Sequence, residues 1–284
     1  MKKLKKAAVC AACAILAVGS AAGVYLISAR ISAGESNNLK ELDVKGVPAP
    51  AQCADYEADV TLSEIKMHYA VYGEDESKKP LVLIHGNACS HKTIESAALY
   101  LANDFTVYSI DSRCHGESTV TPELSYELMA EDTKEFIDAK KLEKPYIVGH
   151  SDGGIIALML ASKYPDSVSA VVSCGANSNP DGLKQYFIEK VKLSNKTNPS
   201  VLNDIILTQP DLNRALLSKI KCPVYIVAGE HDLVKLSDTD YLHKNIKNSK
   251  EAIIKNADHS SYILGDGKKA YRLVKDFVDE TEKD

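Results

Sequence analysis

Between residues 81 and 254 the chain repeats one pattern, which narrows its choice of fold more than any other feature. A short run of apolar, often β-branched residues is followed by a polar cluster and then by a segment of helical spacing. The runs are Leu81-Val82-Leu83-Ile84, 106–110, 146–148, 168–173, 224–228 and 251–254, with two further strands expected near 59–62 and 65–71. Apolar runs this short, bounded by turn residues such as Pro80 and Gly86, suit strands buried on both faces. Helical spacing occurs at about 91–102, 125–141, 154–163, 239–247 and 267–281. The alternation predicts an α/β fold with a mostly parallel sheet of about eight strands and helices on both faces. Crossovers in such sheets are right-handed, so ligands are expected beyond the carboxyl ends of the strands. Residues 176–220 break the rhythm with two amphipathic segments, near 182–193 and 200–207. They predict a small helical cap, with Leu183, Tyr186, Phe187, Ile188, Ile205 and Ile206 as candidate pocket walls.

The polar clusters fall where such a sheet delivers residues to one rim. They are His85-Gly86-Asn87-Ala88, 111–118, Gly149-His150-Ser151-Asp152-Gly153-Gly154, Gly229-Glu230-His231-Asp232 and Asp258-His259-Ser260-Ser261. Gly149-x-Ser151-x-Gly153 follows an apolar strand and opens an apolar helix, the context a nucleophile turn requires. The glycines allow a turn too tight for side chains, and the helix start aims N–H groups at developing negative charge. A serine hydroxyl is a weak nucleophile without a positioned base. His259, beyond the last strand, is the candidate base, and Asp232 the carboxylate that orients it. Glu230 is the competing acid and His231 an alternative imidazole, whereas His85, His115 and His150 read as structural. The oxyanion donors are expected to be the backbone N–H groups of Asp152 and Asn87. An Asp152 carboxylate facing the nucleophile would repel anionic substrates. Alternatively its side chain points into the helix or solvent and only its amide matters.

Residues 1–30 hold Lys2, Lys3, Lys5, Lys6 and Arg30 and no acid, and the 23 positions from Ala7 to Ala29 are uncharged. That length predicts a membrane-spanning anchor, with a cleaved signal peptide as the alternative. The basic end would stay in the cytoplasm and the domain emerge outside, held at the membrane or secreted. Residues 31–55 read as a linker and 56–284 as the folded domain. The whole chain carries 34 Lys+Arg against 39 Asp+Glu, and the part after residue 30 carries 29 against 39. So acidic a domain is a poor partner for nucleic acid. Beyond Cys10 and Cys13, the cysteines are Cys53, Cys89, Cys114, Cys174 and Cys222, an odd number without a C-x-x-C pair. Metal binding is therefore not expected; one or two disulfides could form outside the cell, and Cys174 and Cys222 read as buried thiols.

Over about residues 57–281 the motifs resemble those of the α/β-hydrolase fold superfamily, in particular small esterase and lipase-like members with a short cap. The resemblance rests on His85-Gly86, Asp111-x-Arg113-x-His115-Gly116-x-Ser118, Gly149-His150-Ser151-x-Gly153-Gly154, Gly229-x-x-Asp232 and His259 in that order. It implies the α/β-hydrolase fold and hydrolysis through an acyl-enzyme on Ser151, Asp232 and His259, without metal or organic cofactor. Two departures stand out: Cys114 and Asp258 occupy positions where glycine is common. Relatives that use an aspartate nucleophile, haloalkane dehalogenases and epoxide hydrolases, are disfavoured by Ser151. The expected substrate is a small neutral or apolar acyl ester. The alternatives are amide, thioester or lactone hydrolysis by the same triad, or a slow-turnover ligand-binding receptor.

Overall fold

The computed structural model describes residues 39–283. Nine strands form one sheet: β1 (Leu39–Lys40), β2 (Tyr56–Thr61), β3 (Lys66–Tyr72), β4 (Lys79–Ile84), β5 (Phe105–Ile110), β6 (Tyr146–His150), β7 (Ala170–Cys174), β8 (Val224–Gly229) and β9 (Ser249–Ile254). Their order is β1-β9-β8-β7-β6-β4-β5-β3-β2. From β1 to β5 across the sheet every pair is parallel, and β3 and β2 add an antiparallel edge. The eight expected strands are present. The ninth, β1, arises within the stretch read as linker, where Leu39 and Lys40 pair with Ile253 and Ile254.

The helices are α1 (Glu95–Leu101), α2 (Tyr126–Ala139), α3 (Asp152–Lys163), α4 (Gln185–Thr197), α5 (Val201–Thr208), α6 (Arg214–Leu217), α7 (Leu236–Asn245) and α8 (Gly267–Thr281), and a 3-10 turn, His91–Ile94, leads into α1. Alternation along the strands separates two cores. Val82 and Ile84 face Met129 and Phe136 of α2 and Ile155 and Leu158 of α3. Leu81 and Leu83 face Ala97 and Leu101 of α1 and Leu273 and Phe277 of α8. Burial on both faces explains why the central strands read as continuous apolar runs. α8 shows the opposite pattern, with Ala270, Leu273, Val274, Phe277 and Val278 buried on one stripe.

One expectation is corrected. A membrane-anchored domain was inferred from residues 7–29, which lie outside the described residues. Among the described residues no helix is long and apolar enough to cross a membrane. The longest of them, α8, has 15 residues; at about 1.5 Å per residue it falls short of a hydrocarbon core about 30 Å thick, and its polar stripe needs water.

Three features of the fold fix where a ligand can bind. β4 lies between β5 and β6, so the chain leaves β4 to one side and later returns to the other, which opens a crevice at the carboxyl ends. The loops after β4 and β6 flank that crevice. The helices α4, α5 and α6 are inserted between β7 and β8, where a single crossover helix would suffice.

Candidate active site

Ser151 sits at the junction of β6 and α3 with φ 55° and ψ −117°. A non-glycine residue with positive φ is strained and persists only where its surroundings hold it. Here the Ser151 N–H donates to the Cys174 carbonyl at 2.7 Å, and its own carbonyl accepts the Ile155 N–H that opens α3. The turn also needs Gly153, because a Cβ there would stand 2.2 Å from the Ile84 carbonyl oxygen. The strand–turn–helix sequence thus becomes a hydroxyl lifted above the sheet.

His259 follows β9 and lies at the same rim. Its Nδ1 is 2.6 Å from Asp232 Oδ1, and its side chain keeps 15% of its surface exposed. Asp232 is wholly buried. Its carboxylate accepts N–H groups from Gly229 and Val234, both at 3.0 Å. Burial alone would raise its pKa, but the His259 contact and these two donors outweigh burial and hold it below the usual carboxylate range. Glu230, the competing acid, instead accepts the Asn256 N–H at 2.8 Å, and His231 is exposed. Gly175, with φ 65°, closes over the imidazole: a Cβ there would lie 2.8 Å from His259 Cε1. The His259 carbonyl is held by His150 Nε2 at 2.8 Å. Asp258, where glycine is common, accepts the N–H groups of Ser260 and Ser261 at 2.9 Å each and so shapes the turn beyond the imidazole.

The three remaining rim histidines are buried, and burial pushes all of them down, His115 and His150 to about 3. They are neutral scaffolding. His85 accepts the Ser112 N–H through Nε2 at 3.1 Å, and His115 Nδ1 meets the Arg113 carbonyl at 2.8 Å. Arg113 grips Asp132 of α2 with two hydrogen bonds of 2.5 and 2.6 Å. Cys114 has φ 65°, the conformation that makes glycine common at its position. No disulfide joins the described cysteines, and Cys114, Cys174 and Cys222 are buried.

The oxyanion candidates, Asn87 and Asp152, meet through their side chains as well as flanking the crevice. Asn87 Nδ2 donates to Asp152 Oδ2 at 3.0 Å and to the Leu202 carbonyl of α5 at 3.0 Å. Asp152 is therefore buried beneath Asn87 rather than aimed at an incoming ligand. Burial raises its pKa against the donors from Asn87 and Tyr126. Residue types and spacing gave no sign of this bridge, since its partners lie 65 and 115 residues apart in sequence.

The alpha/beta hydrolase fold family matches residues 79–200. That match covers β4 to the cap and includes the Ser151 turn. The chain has the α/β-hydrolase fold. Among curated relatives of the chain, human "Serine hydrolase BPHL" is 27% identical over 237 residues, which cover 72% of this chain and 81% of the relative. An abhydrolase domain-containing protein of Schizosaccharomyces pombe is 38% identical over 116 residues, but these cover only 40% of this chain and 43% of the relative. Among solved structures, a lipase-esterase related protein from Clostridium acetobutylicum superposes with TM-score 0.65 at 24% identity, covering 74% of this chain and 99% of that one. The enol-lactonase from Burkholderia xenovorans gives TM-score 0.65 at 18% identity, covering 78% and 100%.

Proposed function

We propose that this α/β-hydrolase is a serine esterase that cleaves small carboxylic esters with neutral or apolar acyl groups through Ser151, His259 and Asp232. The observation that carries the reading is the strained Ser151 turn at the sheet's crevice, with His259 and its buried partner Asp232 at the same rim. In the first step Ser151 Oγ attacks the ester carbonyl carbon while His259 Nε2 accepts the hydroxyl proton. Asp232, hydrogen-bonded to Nδ1–H, fixes the tautomer and stabilises the imidazolium. The backbone N–H groups of Asp152 and Asn87 donate to the oxyanion. Collapse of the tetrahedral intermediate returns the proton to the leaving alcohol and leaves an acyl-Ser151. Water, deprotonated by the same imidazole, then releases the acid.

The substrate class rests on two supports. The part of the chain after residue 30 carries 29 basic against 39 acidic residues, which disfavours approach of polyanions. The inserted segment also carries apolar residues: Leu183, Ile205 and Ile206 are buried, and Phe187 and Ile188 pack against the same core. Two relatives, the human serine hydrolase BPHL and the esterase YbfF of Escherichia coli, support ester cleavage. The test is labelling with a fluorophosphonate followed by peptide mapping, beside a panel of p-nitrophenyl esters, thioesters, lactones and anionic esters of matched size. Label on Ser151 and highest kcat/KM for neutral esters are expected. Labelling that survives Ser151→Ala overturns the nucleophile, and faster turnover of the anionic set overturns the substrate class.

A further inference from the structure

The antiparallel edge and the 3-10 turn after β4 bring together a cluster that ester chemistry does not use. Glu57 and Asp59 lie two residues apart on β2 and so share a face. The strand register sets Asp59 opposite His68 of β3. His91, the first residue of the 3-10 turn, lies with its ring centroid 5.1 Å from that of His68. Both imidazoles are buried, His68 to 7% and His91 to 1% exposure.

Each ring is held from behind by a carboxylate. His68 Nδ1 is 2.9 Å from Asp59 Oδ1, and His91 Nδ1 is 2.9 Å from Asp111 Oδ1. Asp111 also accepts the His91 backbone N–H at 2.6 Å. With Nδ1–H donated to a carboxylate, Nε2 is the lone-pair nitrogen, the arrangement that prepares an imidazole to bind a metal. Both Nε2 atoms are buried, and neither makes a hydrogen bond among the described residues. They face one carboxylate: Glu57 Oε2 is 3.5 Å from His68 Nε2, and Glu57 Oε1 is 3.5 Å from His91 Nε2. The three ligand atoms lie within 4.8 Å of one another. A direct N–H···O bond would be about 2.9 Å, whereas ligands about 2.1 Å from a tetrahedral zinc ion stand about 3.4 Å apart. The two separations from Glu57 match the second geometry.

We propose that Glu57, His68 and His91 bind a divalent transition-metal ion, of which zinc best fits two imidazoles and a carboxylate. Asp59 and Asp111 orient the imidazoles from behind. Lys92 is the rival cation, 4.0 Å from Glu57 and 3.7 Å from Glu117; on metal binding it would keep Glu117 alone. The ion would join the β2–β3 edge to the turn that ends the Asn87 loop, so it would act as a clamp on that loop. The ligands come from three separate elements, 11 and 23 residues apart, and follow no metal motif readable in the sequence.

The test uses the full chain, stripped with chelator and then titrated calorimetrically with zinc and, in parallel, with cobalt followed by its visible absorption. One ion per chain is expected, with Tm rising with the logarithm of zinc concentration. Glu57→Gln and His68→Gln should abolish the cobalt band, and Asp59→Asn should weaken binding about 10- to 100-fold. Glu57 is exposed and stands 3.5 Å from each imidazole without a direct hydrogen bond, and a urea unfolding curve checks that Glu57→Gln keeps the fold for the comparison. His259→Gln and Cys53→Ser should bind as the parent does. Absence of stoichiometric binding in the parent overturns the proposal, as does binding that persists in Glu57→Gln or disappears in His259→Gln.

Discussion

Mild acid should destabilise this protein, and the larger part of the effect can be assigned to two histidines. His115 and His150 are buried, and burial lowers their pKa to about 3. His115 offers Nδ1 to the Arg113 carbonyl, while its Nε2 is buried without a hydrogen bond and its ring lies 5.0 Å from that of His85. A proton there would place a charge with no partner beside a second imidazole. In the unfolded chain both titrate near about 6.5. A group whose pKa is depressed by folding gives stability that is fully present above its unfolded value and is lost as the pH falls towards the folded one. Between about pH 6.5 and 3, each pH unit therefore removes about 1.4 kcal/mol per imidazole. At pH 5.0 the loss is about 2 kcal/mol for each and about 4 kcal/mol for the pair, a large part of a typical stability of about 5–15 kcal/mol. His85 is also lowered and adds in the same direction. His91 opposes: burial lowers it, but Asp111 and Glu57 raise it further, so its contribution is present at low pH and fades as pH rises. The lowered carboxylates Asp232 and Asp111 lose their contribution only towards and below the unfolded Asp value of about 3.9, under the assayed range, whereas Asp152, Asp132 and Asp238, raised by burial, oppose the loss. The assay is urea unfolding by far-ultraviolet circular dichroism from pH 7.5 to 5.0 at constant ionic strength with chelator present. His115→Asn should remove about half of the slope. Stability at pH 5.0 within about 1 kcal/mol of that at pH 7.5, or an unchanged slope in His115→Asn, would refute the assignment.

Other outcomes follow from the rim. Asp232→Asn should lower kcat by about four orders of magnitude with the fold retained, whereas Glu230→Gln should change it less than about threefold; steady-state kinetics on one ester reads both, and the reverse ranking would show that the wrong acid was chosen. Gly175→Ala puts a methyl 2.8 Å from His259 Cε1 at a φ of 65°; kcat should fall more than about tenfold and stability by about 1–2 kcal/mol, and wild-type turnover would mean that the imidazole position is not critical. Asn87→Ala keeps the backbone donor but removes the bridge from Asp152 to Leu202. Urea unfolding should show a loss of about 1–3 kcal/mol, and KM should rise for esters with long acyl chains; unchanged values would deny the bridge a role.

The sequence by itself determined the class of fold and the order of its polar clusters. Apolar runs such as 81–84 and 224–228 are buried on both faces, and that environment writes itself locally as an uninterrupted apolar stretch. The Ser151 turn was equally readable, because strand, tight turn and helix start are neighbours in the chain. Tertiary structure decided what depends on distant residues meeting. Asp232 rather than Glu230 reaches His259 because the turn after β8 aims one carboxylate inward and the other at the Asn256 amide. The Asp152 carboxylate, which in sequence simply stands beside Ser151, is buried under Asn87, and that amide side chain in turn holds the cap. β1 pairs at the far edge although Leu39-Lys40 has no strand pattern of its own, since two residues gain their ladder from β9. The Glu57–His68–His91 cluster lies furthest from sequence legibility. Its three elements converge only because the β2–β3 hairpin folds along the sheet edge beneath the turn that follows β4, and no local spacing records that meeting.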